Sequence, residues 1–125
     1  MIPVDQTKIH SETVQGNCFT ACVASYFEMQ IDELPDFYCD NWIINLSNFV
    51  KNLGYDWDYY DLTRYPEYGL PNIDDYIIVS GDSPRFNDIG HSVIYKDGVM
   101  VHDPHPSKAG IGRLRGYWLF TKFNK

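Results

Sequence analysis

The hydrophobic pattern changes its period near residue 55, and this change limits the fold more than any other feature of the sequence. Before it, apolar residues recur at helical spacing over 18–29 and 40–52. After it come short runs rich in β-branched and aromatic residues, at 55–62, 76–80, 91–95, 99–102 and 117–122. Helices followed by a series of strands predict an α+β fold, with both helices packed on one face of an antiparallel meander.

The first predicted helix is apolar almost all round and contains several small residues, which indicates a central, buried helix. Asn17 is a suitable N-cap residue for a helix that begins at Cys18. The second predicted helix is stopped by Gly54. Between the strands, the Asp97-Gly98 pair predicts a tight hairpin that joins 91–95 to 99–102.

Length and charge restrict the classes of function. A chain of 125 residues is large enough for one domain with its own core, so we expect a single domain over 1–125. The net charge of −7 disfavours binding to nucleic-acid phosphates or to an anionic membrane, because like charges repel. No apolar run approaches the length that spans a membrane. The sequence leaves the oligomeric state open.

The cysteine content predicts a reducing environment. The chain has three cysteines, and Cys18 and Cys22 are four residues apart on one predicted helix, where a disulfide between them is disfavoured. The N-terminal residues lack the basic and apolar segments of a secretory signal. We therefore expect free thiols and a cytoplasmic location, in the host cytoplasm if the protein is encoded by a phage.

Three residues in chain order predict a reactive site. Cys18 stands at a helix N-terminus, where unpaired N–H groups and the helix dipole favour the thiolate. His91 begins one strand of the predicted hairpin, and Asp103 follows the other strand. Since the two strands run antiparallel, His91 should lie close to Asp103. A thiol, an imidazole base and a carboxylate that orients the base are what a cysteine nucleophile requires.

These residues carry a resemblance to papain-like cysteine peptidases, most closely to the small bacteriocin-processing type and to related small bacterial and phage proteins. The matching pieces are Asn-Cys-Phe-Thr-Ala-Cys at 17–22, Gly-His-Ser-Val at 90–93 and His-Asp-Pro-His-Pro at 102–106. The resemblance covers nearly the whole chain, but only these patches are specific. It implies a papain-like fold, with Cys18 as nucleophile, His91 as base and Asp103 as the residue that orients His91.

The resemblance also implies a glutamine whose side-chain amide helps to form an oxyanion hole. Gln6 is the preferred residue, although it precedes Cys18 by twelve positions, so that the segment between them must form a loop. Gln15, three positions before Cys18, is the alternative. Asn17, His102 and His105 are predicted to contact substrate near the reactive centre.

The sequence therefore predicts a cysteine hydrolase that acts on a protein or peptide substrate at an amide or isopeptide bond, without a cofactor. A zinc site built from Cys18, Cys22, His102 and His105 is disfavoured, because the spacing does not match common zinc sites. The alternative function is a non-catalytic binding module, for example a small phage protein that sequesters a host protein or ligand in an aromatic cleft.

Overall fold

The computed structural model describes residues 1–123, which form two helices and one five-stranded sheet. The helices are α1 (Cys18–Phe27) and α2 (Trp42–Asn52). The strands are β1 (Tyr55–Asp61), β2 (Tyr76–Asp82), β3 (Gly90–Lys96), β4 (Val99–His102) and β5 (Leu114–Lys122). The predicted α+β class is confirmed, and each predicted element is present with ends that differ by a few residues.

The ends of the helices follow from local chemistry. Glu28 adopts a left-handed conformation with φ 59°, which ends α1 two residues before the predicted position. Asn17 takes the N-cap position, but its side chain makes no capping hydrogen bond. Gly54, with φ 86°, follows the end of α2 as predicted. The hairpin between β3 and β4 also forms as predicted, with Asp97 and Gly98 both at positive φ.

The sheet is open and entirely antiparallel, in the order β1-β5-β2-β3-β4. The predicted meander is wrong in one respect, because β5 lies between β1 and β2. The alternation of residues explains this position. In β5, Trp118 and Phe120 contact one core cluster while Tyr117 and Leu119 contact the other. By contrast, β1 carries Asp56 and Asp58, and acidic side chains suit an edge strand.

The two faces of the sheet are covered differently. Both helices pack on one face, where Cys22, Val23, Leu46 and Val50 meet Ile78, Ile94 and Phe120 of the strands. The opposite face has a second cluster around Ile77, Val79, Val93, Tyr117 and Leu62, and loop residues such as Leu70 and Ile111 cover it. Within residues 1–123, no helix is long and apolar enough to cross a membrane.

Candidate functional site

The N-terminus of α1 meets the first residues of β3, and this junction brings Cys18 to His91. Helix α1 packs against β3 and β2 through its buried residues, which places Cys18 next to the start of β3. Cys18 is partly exposed, whereas His91 is buried. The thiol and the imidazole line the same small cavity, and the hydrogen-bonding and charge influence of His91 on the thiol lowers the pKa of Cys18. The backbone N–H of Ser92, the residue after His91, acts on the pKa of Cys18 in the same direction.

Asp103 holds the opposite side of the His91 ring. Its Oδ1 atom lies 2.7 Å from His91 Nε2, and the carboxylate is only 2% exposed. Because Nε2 is occupied by Asp103, the contact with Cys18 falls to the other ring nitrogen, Nδ1. The structure thus brings together Cys18, His91 and Asp103, the three residues that the sequence predicts at the centre of the site.

Backbone N–H groups keep the Asp103 carboxylate in place. Oδ1 accepts a second hydrogen bond from His105 N at 2.9 Å, and Oδ2 accepts one from Gly110 N at 2.7 Å. Burial raises the pKa of Asp103, but the hydrogen bonds from His91 and from these two N–H groups outweigh it, so that the pKa lies below its usual value. Asp103 is therefore an anion next to the imidazole at neutral pH.

The electrostatics of the Cys18–His91 pair favour the charged form of both groups. Burial lowers the pKa of His91, but hydrogen bonds to Asp103 and Cys18 outweigh it and raise the pKa to about 9. Burial likewise opposes ionisation of Cys18, yet the hydrogen bond and charge of His91 bring the thiol pKa below its ordinary value of 9.0. His91 is therefore protonated near pH 7, and its positive charge favours the thiolate form of Cys18.

The two glutamines lie beside this pair. Gln6 and Gln15 both line a cavity of about 70 Å³ that Cys18 and His91 also line. The amide nitrogen of Gln6 donates to the carbonyl oxygen of Lys8 at 2.9 Å, and that of Gln15 donates to Gly16 O at 3.3 Å. Gln6 Oε1 is buried and has no hydrogen-bond partner within residues 1–123. The choice between the two glutamines stays a prediction.

The cavity is small because the segment before α1 folds over it. His10 makes an edge-on ring contact with Phe86, with ring centres 5.1 Å apart, and both residues line the cavity. A close approach is possible because residue 16 is glycine, where a Cβ would lie only 3.0 Å from His10 N. A second cavity of about 730 Å³ begins next to the first and shares Gln15, Gly16 and Tyr38 with it.

The three residues predicted to contact substrate occupy different places. His105 lines the small cavity, and its ring lies edge-on to that of His91 at 6.1 Å. Asn17 borders the larger cavity, but its side chain accepts hydrogen bonds from Thr7 N and Lys8 N and so holds the N-terminal loop. His102 is buried, with Nε2 at 2.8 Å from Val4 O, outside the residues that line either cavity.

Tyr38 is a residue of this site that the sequence did not predict. Its hydroxyl accepts a hydrogen bond from Phe19 N at 2.9 Å and also contacts the Cys18 thiol. Tyr38 lies in an irregular segment between the two helices, where no periodic pattern relates it to Cys18. The sequence carried no signal for this contact, because the burial of the neighbouring Phe37 against Phe19 is seen only in the structure.

The residues of the disfavoured zinc site do not gather around a common point. Cys22 is fully buried in the helix-side core, and His102 is bonded to the N-terminal segment. In the part of the chain that the structure describes, no group of three or more His, Cys, Asp or Glu side chains could hold a metal ion.

Comparison with known proteins adds no relative. No protein-family model, no curated protein and no solved structure matches this chain. The chemistry of the site therefore has to be inferred from the contacts of Cys18, His91, Asp103 and the residues around them.

Proposed function

We propose that this protein is a papain-like cysteine hydrolase that cleaves an amide or isopeptide bond of a peptide or protein. The observation that carries the proposal is the contact of Cys18 with His91, whose other ring nitrogen lies 2.7 Å from Asp103. A buried structural cysteine would need neither partner, and a lone thiol would not lower its pKa. The resemblance of the motifs around these residues to papain-like peptidases points to the same class.

The proposed reaction proceeds through an acyl-enzyme. The Cys18 thiolate attacks the carbonyl carbon, forming the C–S bond while the carbonyl π electrons move to oxygen. The imidazolium of His91 gives its proton to the amide nitrogen as the C–N bond breaks and the amine leaves. Neutral His91 then takes a proton from water as the water oxygen attacks the thioester carbonyl carbon; the C–S bond breaks, the acid leaves, and the Cys18 thiolate and the His91 imidazolium are restored. Gln6 is proposed to donate an amide N–H to the developing oxyanion.

The larger cavity supports a substrate of peptide size. It adjoins the reactive centre and has a mixed lining, with Leu34 and Pro35 as apolar residues and Asp32 and Asp36 as exposed acidic ones. Its volume of about 730 Å³ is within the range of small-molecule and peptide pockets. The small cavity of about 70 Å³ holds little more than a reacting carbonyl group, so the segment around His10 must shift when substrate enters.

An activity probe tests the proposal. The protein is incubated with a peptide vinyl sulfone, a reagent that modifies activated thiolates, and the labelled residue is identified by mass spectrometry. We expect modification at Cys18, loss of it in His91→Ala, and no change in Cys39→Ala, which removes a partly exposed thiol elsewhere. Labelling of Cys18 that is unaffected by His91→Ala would contradict the proposal.

The small volume of the cavity at Cys18, about 70 Å³, favours the binding module as the second candidate, since such a cavity also fits a protein that only holds a ligand. The two candidates differ in turnover. A peptide library is incubated with the wild type and with Cys18→Ala, and the products are analysed by mass spectrometry. Cleavage by the wild type alone supports the hydrolase. Peptides retained by both proteins without cleavage support the binding module.

A further inference from the structure

The segment between Ile31 and α2 places a phenol group at the N-terminus of α1. Phe37 is buried and packs edge-on against Phe19, with ring centres 5.7 Å apart. This contact anchors the chain, and Asp36 Oδ1 accepts the Tyr38 N–H at 2.8 Å. The Tyr38 hydroxyl then accepts the Phe19 N–H at 2.9 Å, one of the N–H groups that a helix cannot satisfy internally.

The same hydroxyl lies beside Cys18, because it bonds to the N–H of the next residue, Phe19, and Tyr38 and Cys18 line the same small cavity. Because its oxygen already accepts the Phe19 N–H, the hydroxyl proton is free to be donated to the thiolate. Burial and the adjacent charge of Cys18 raise the pKa of Tyr38 well above its usual range. The phenol therefore stays protonated, and remains a donor, at every pH at which the Cys18–His91 ion pair exists.

We propose that the Tyr38 hydroxyl is a catalytic hydrogen-bond donor, which holds the Cys18 thiolate before reaction and then donates to the oxyanion that forms on the substrate carbonyl. This inference rests on the proposed function, since it requires Cys18 to attack a carbonyl. As the C–S bond forms, the negative charge leaves sulfur and appears on the carbonyl oxygen two bonds away. A hydroxyl can follow this movement by rotation about its single C–O bond.

The position of Tyr38 distinguishes it from the two glutamines. The amide nitrogen of Gln6 is engaged by Lys8 O and that of Gln15 by Gly16 O. Tyr38 has no such competing acceptor for its proton among the hydrogen bonds of the described residues, and it lines the small cavity together with Cys18. It also lies where the small and the large cavity meet, so a substrate that enters from the larger cavity passes this side chain.

The first measurement is the pH dependence of Cys18 alkylation by iodoacetamide. In Tyr38→Phe only the hydroxyl is lost, and we expect the midpoint of alkylation to rise by about one pH unit, because a hydrogen bond to the charged form is removed. The matched control is Tyr26→Phe. Tyr26 lies near the C-terminal end of α1, and its hydroxyl donates to Asp75 Oδ2 at 2.8 Å. The control therefore removes a hydrogen-bonded phenol hydroxyl away from Cys18.

The second measurement separates stabilisation of the thiolate from stabilisation of the oxyanion. Cys18 attacks p-nitrophenyl acetate to form a thioester, and p-nitrophenolate leaves as the C–O bond breaks, through a tetrahedral oxyanion. Alkylation by iodoacetamide is a displacement that forms no oxyanion. After both rates are divided by the thiolate fraction, Tyr38→Phe should acylate roughly ten- to a hundredfold more slowly and alkylate at an unchanged rate.

A second substitution guards against a folding defect in Tyr38→Phe. Tyr38→3-fluorotyrosine keeps the hydroxyl and its contact with Phe19 N, and it makes the phenol more acidic and a stronger donor. The alkylation midpoint should then fall below that of the wild type. If Tyr38 only caps α1, Tyr38→Phe would change the thermal midpoint. The pH dependence of alkylation in both variants and the acylation rate per thiolate would then stay as in the wild type.

The outcomes distinguish the inference from the function on which it rests. If wild-type Cys18 titrates as an ordinary thiol near 9.0, the proposed hydrolase fails together with the role of Tyr38. If Cys18 titrates low but Tyr38→Phe changes neither the midpoint of alkylation nor the acylation rate per thiolate, the role of Tyr38 is overturned and the hydrolase stands. A raised midpoint with unchanged acylation per thiolate overturns donation to the oxyanion.

Discussion

Cys18 and Cys22 are four residues apart on α1 and point to the same side of one helix, yet their surroundings differ sharply. Cys22 is fully buried among apolar side chains, and burial raises its pKa well above the ordinary value. Cys18 is partly exposed and contacts His91, Ser92 N and Tyr38, which together lower its pKa. Two cysteines one helical turn apart therefore differ in the direction of their pKa shift: the pKa of Cys22, which packs in the core, is raised, and that of Cys18 is lowered.

The difference arises from the surroundings of each position on α1, because Cys18 is the first residue of the helix and Cys22 lies in its middle. A thiol in the middle of the helix has its backbone N–H groups satisfied and finds only side chains of the core. A thiol at the first position lies beside unpaired N–H groups and the start of β3, where polar groups can approach it. The identity of the residue is the same in both places, so reactivity is a property of the position and its hydrogen-bond partners.

The largest expected effect is that of Cys18→Ala on turnover. Removal of the nucleophile should reduce hydrolysis of any substrate by at least about a thousandfold. Because Cys18 lies at the edge of a cavity, the thermal midpoint should change little. Turnover of the library peptide and a thermal melt measure the two effects. Retention of more than about a tenth of the activity would remove Cys18 from the mechanism.

The second effect in size is that of Asp103→Asn. The amide oxygen can still accept a hydrogen bond, but the charge that supports the imidazolium is gone. The pKa of His91 should fall from about 9 toward its ordinary 6.5, so less of the ion pair exists at pH 7. We expect hydrolysis to fall by about a hundredfold.

The pH profile checks the sign of this change. In the wild type the alkaline limb, where His91 loses its proton, should lie near pH 9. In Asp103→Asn it should move to lower pH, because the group that raises the pKa of His91 is removed. Ser47→Ala, which removes a partner of Trp57 on the far side of the molecule, is the control and should keep the wild-type profile.

Parts of this arrangement could be predicted because they depend on local chemistry. The Asp97-Gly98 turn makes β3 and β4 antiparallel, and their register places Ile94 opposite His102. Asp103, the next residue, therefore lies near the start of β3, where His91 is. The position of β5 between β1 and β2 could not be predicted. Its partner strands lie far away in the sequence, and the residues of a strand do not indicate locally which strand will pair with it. Tyr38 depends on packing between an irregular segment and α1, so its contact with Cys18 has no counterpart in any periodic pattern.

The third prediction compares the cysteines directly by alkylation. At pH 7 a thiol with the ordinary pKa of 9.0 is only about 1% ionised, whereas the lowered pKa of Cys18 gives it a larger thiolate fraction. Iodoacetamide should therefore modify Cys18 at least about tenfold faster than Cys39 and much faster than Cys22. Peptide mapping by mass spectrometry at several times measures the three rates. Equal rates for Cys18 and Cys39 would show that the contacts of Cys18 do not activate it.

The smallest effect on chemistry is expected for Cys22→Ala, which tests the other half of the comparison. Loss of a fully buried sulfur leaves a small void between α1 and the sheet, and should lower the free energy of unfolding by about 1 kcal/mol. Turnover should stay at the wild-type level, because Cys22 contacts core residues such as Ile78 and Ile94 rather than the substrate cavities. Chemical denaturation and peptide turnover measure both quantities on one preparation. If turnover vanished while the unfolding free energy stayed the same, Cys22 would be the reactive thiol, and the contrast between the first position and the middle of α1 would have to be reversed.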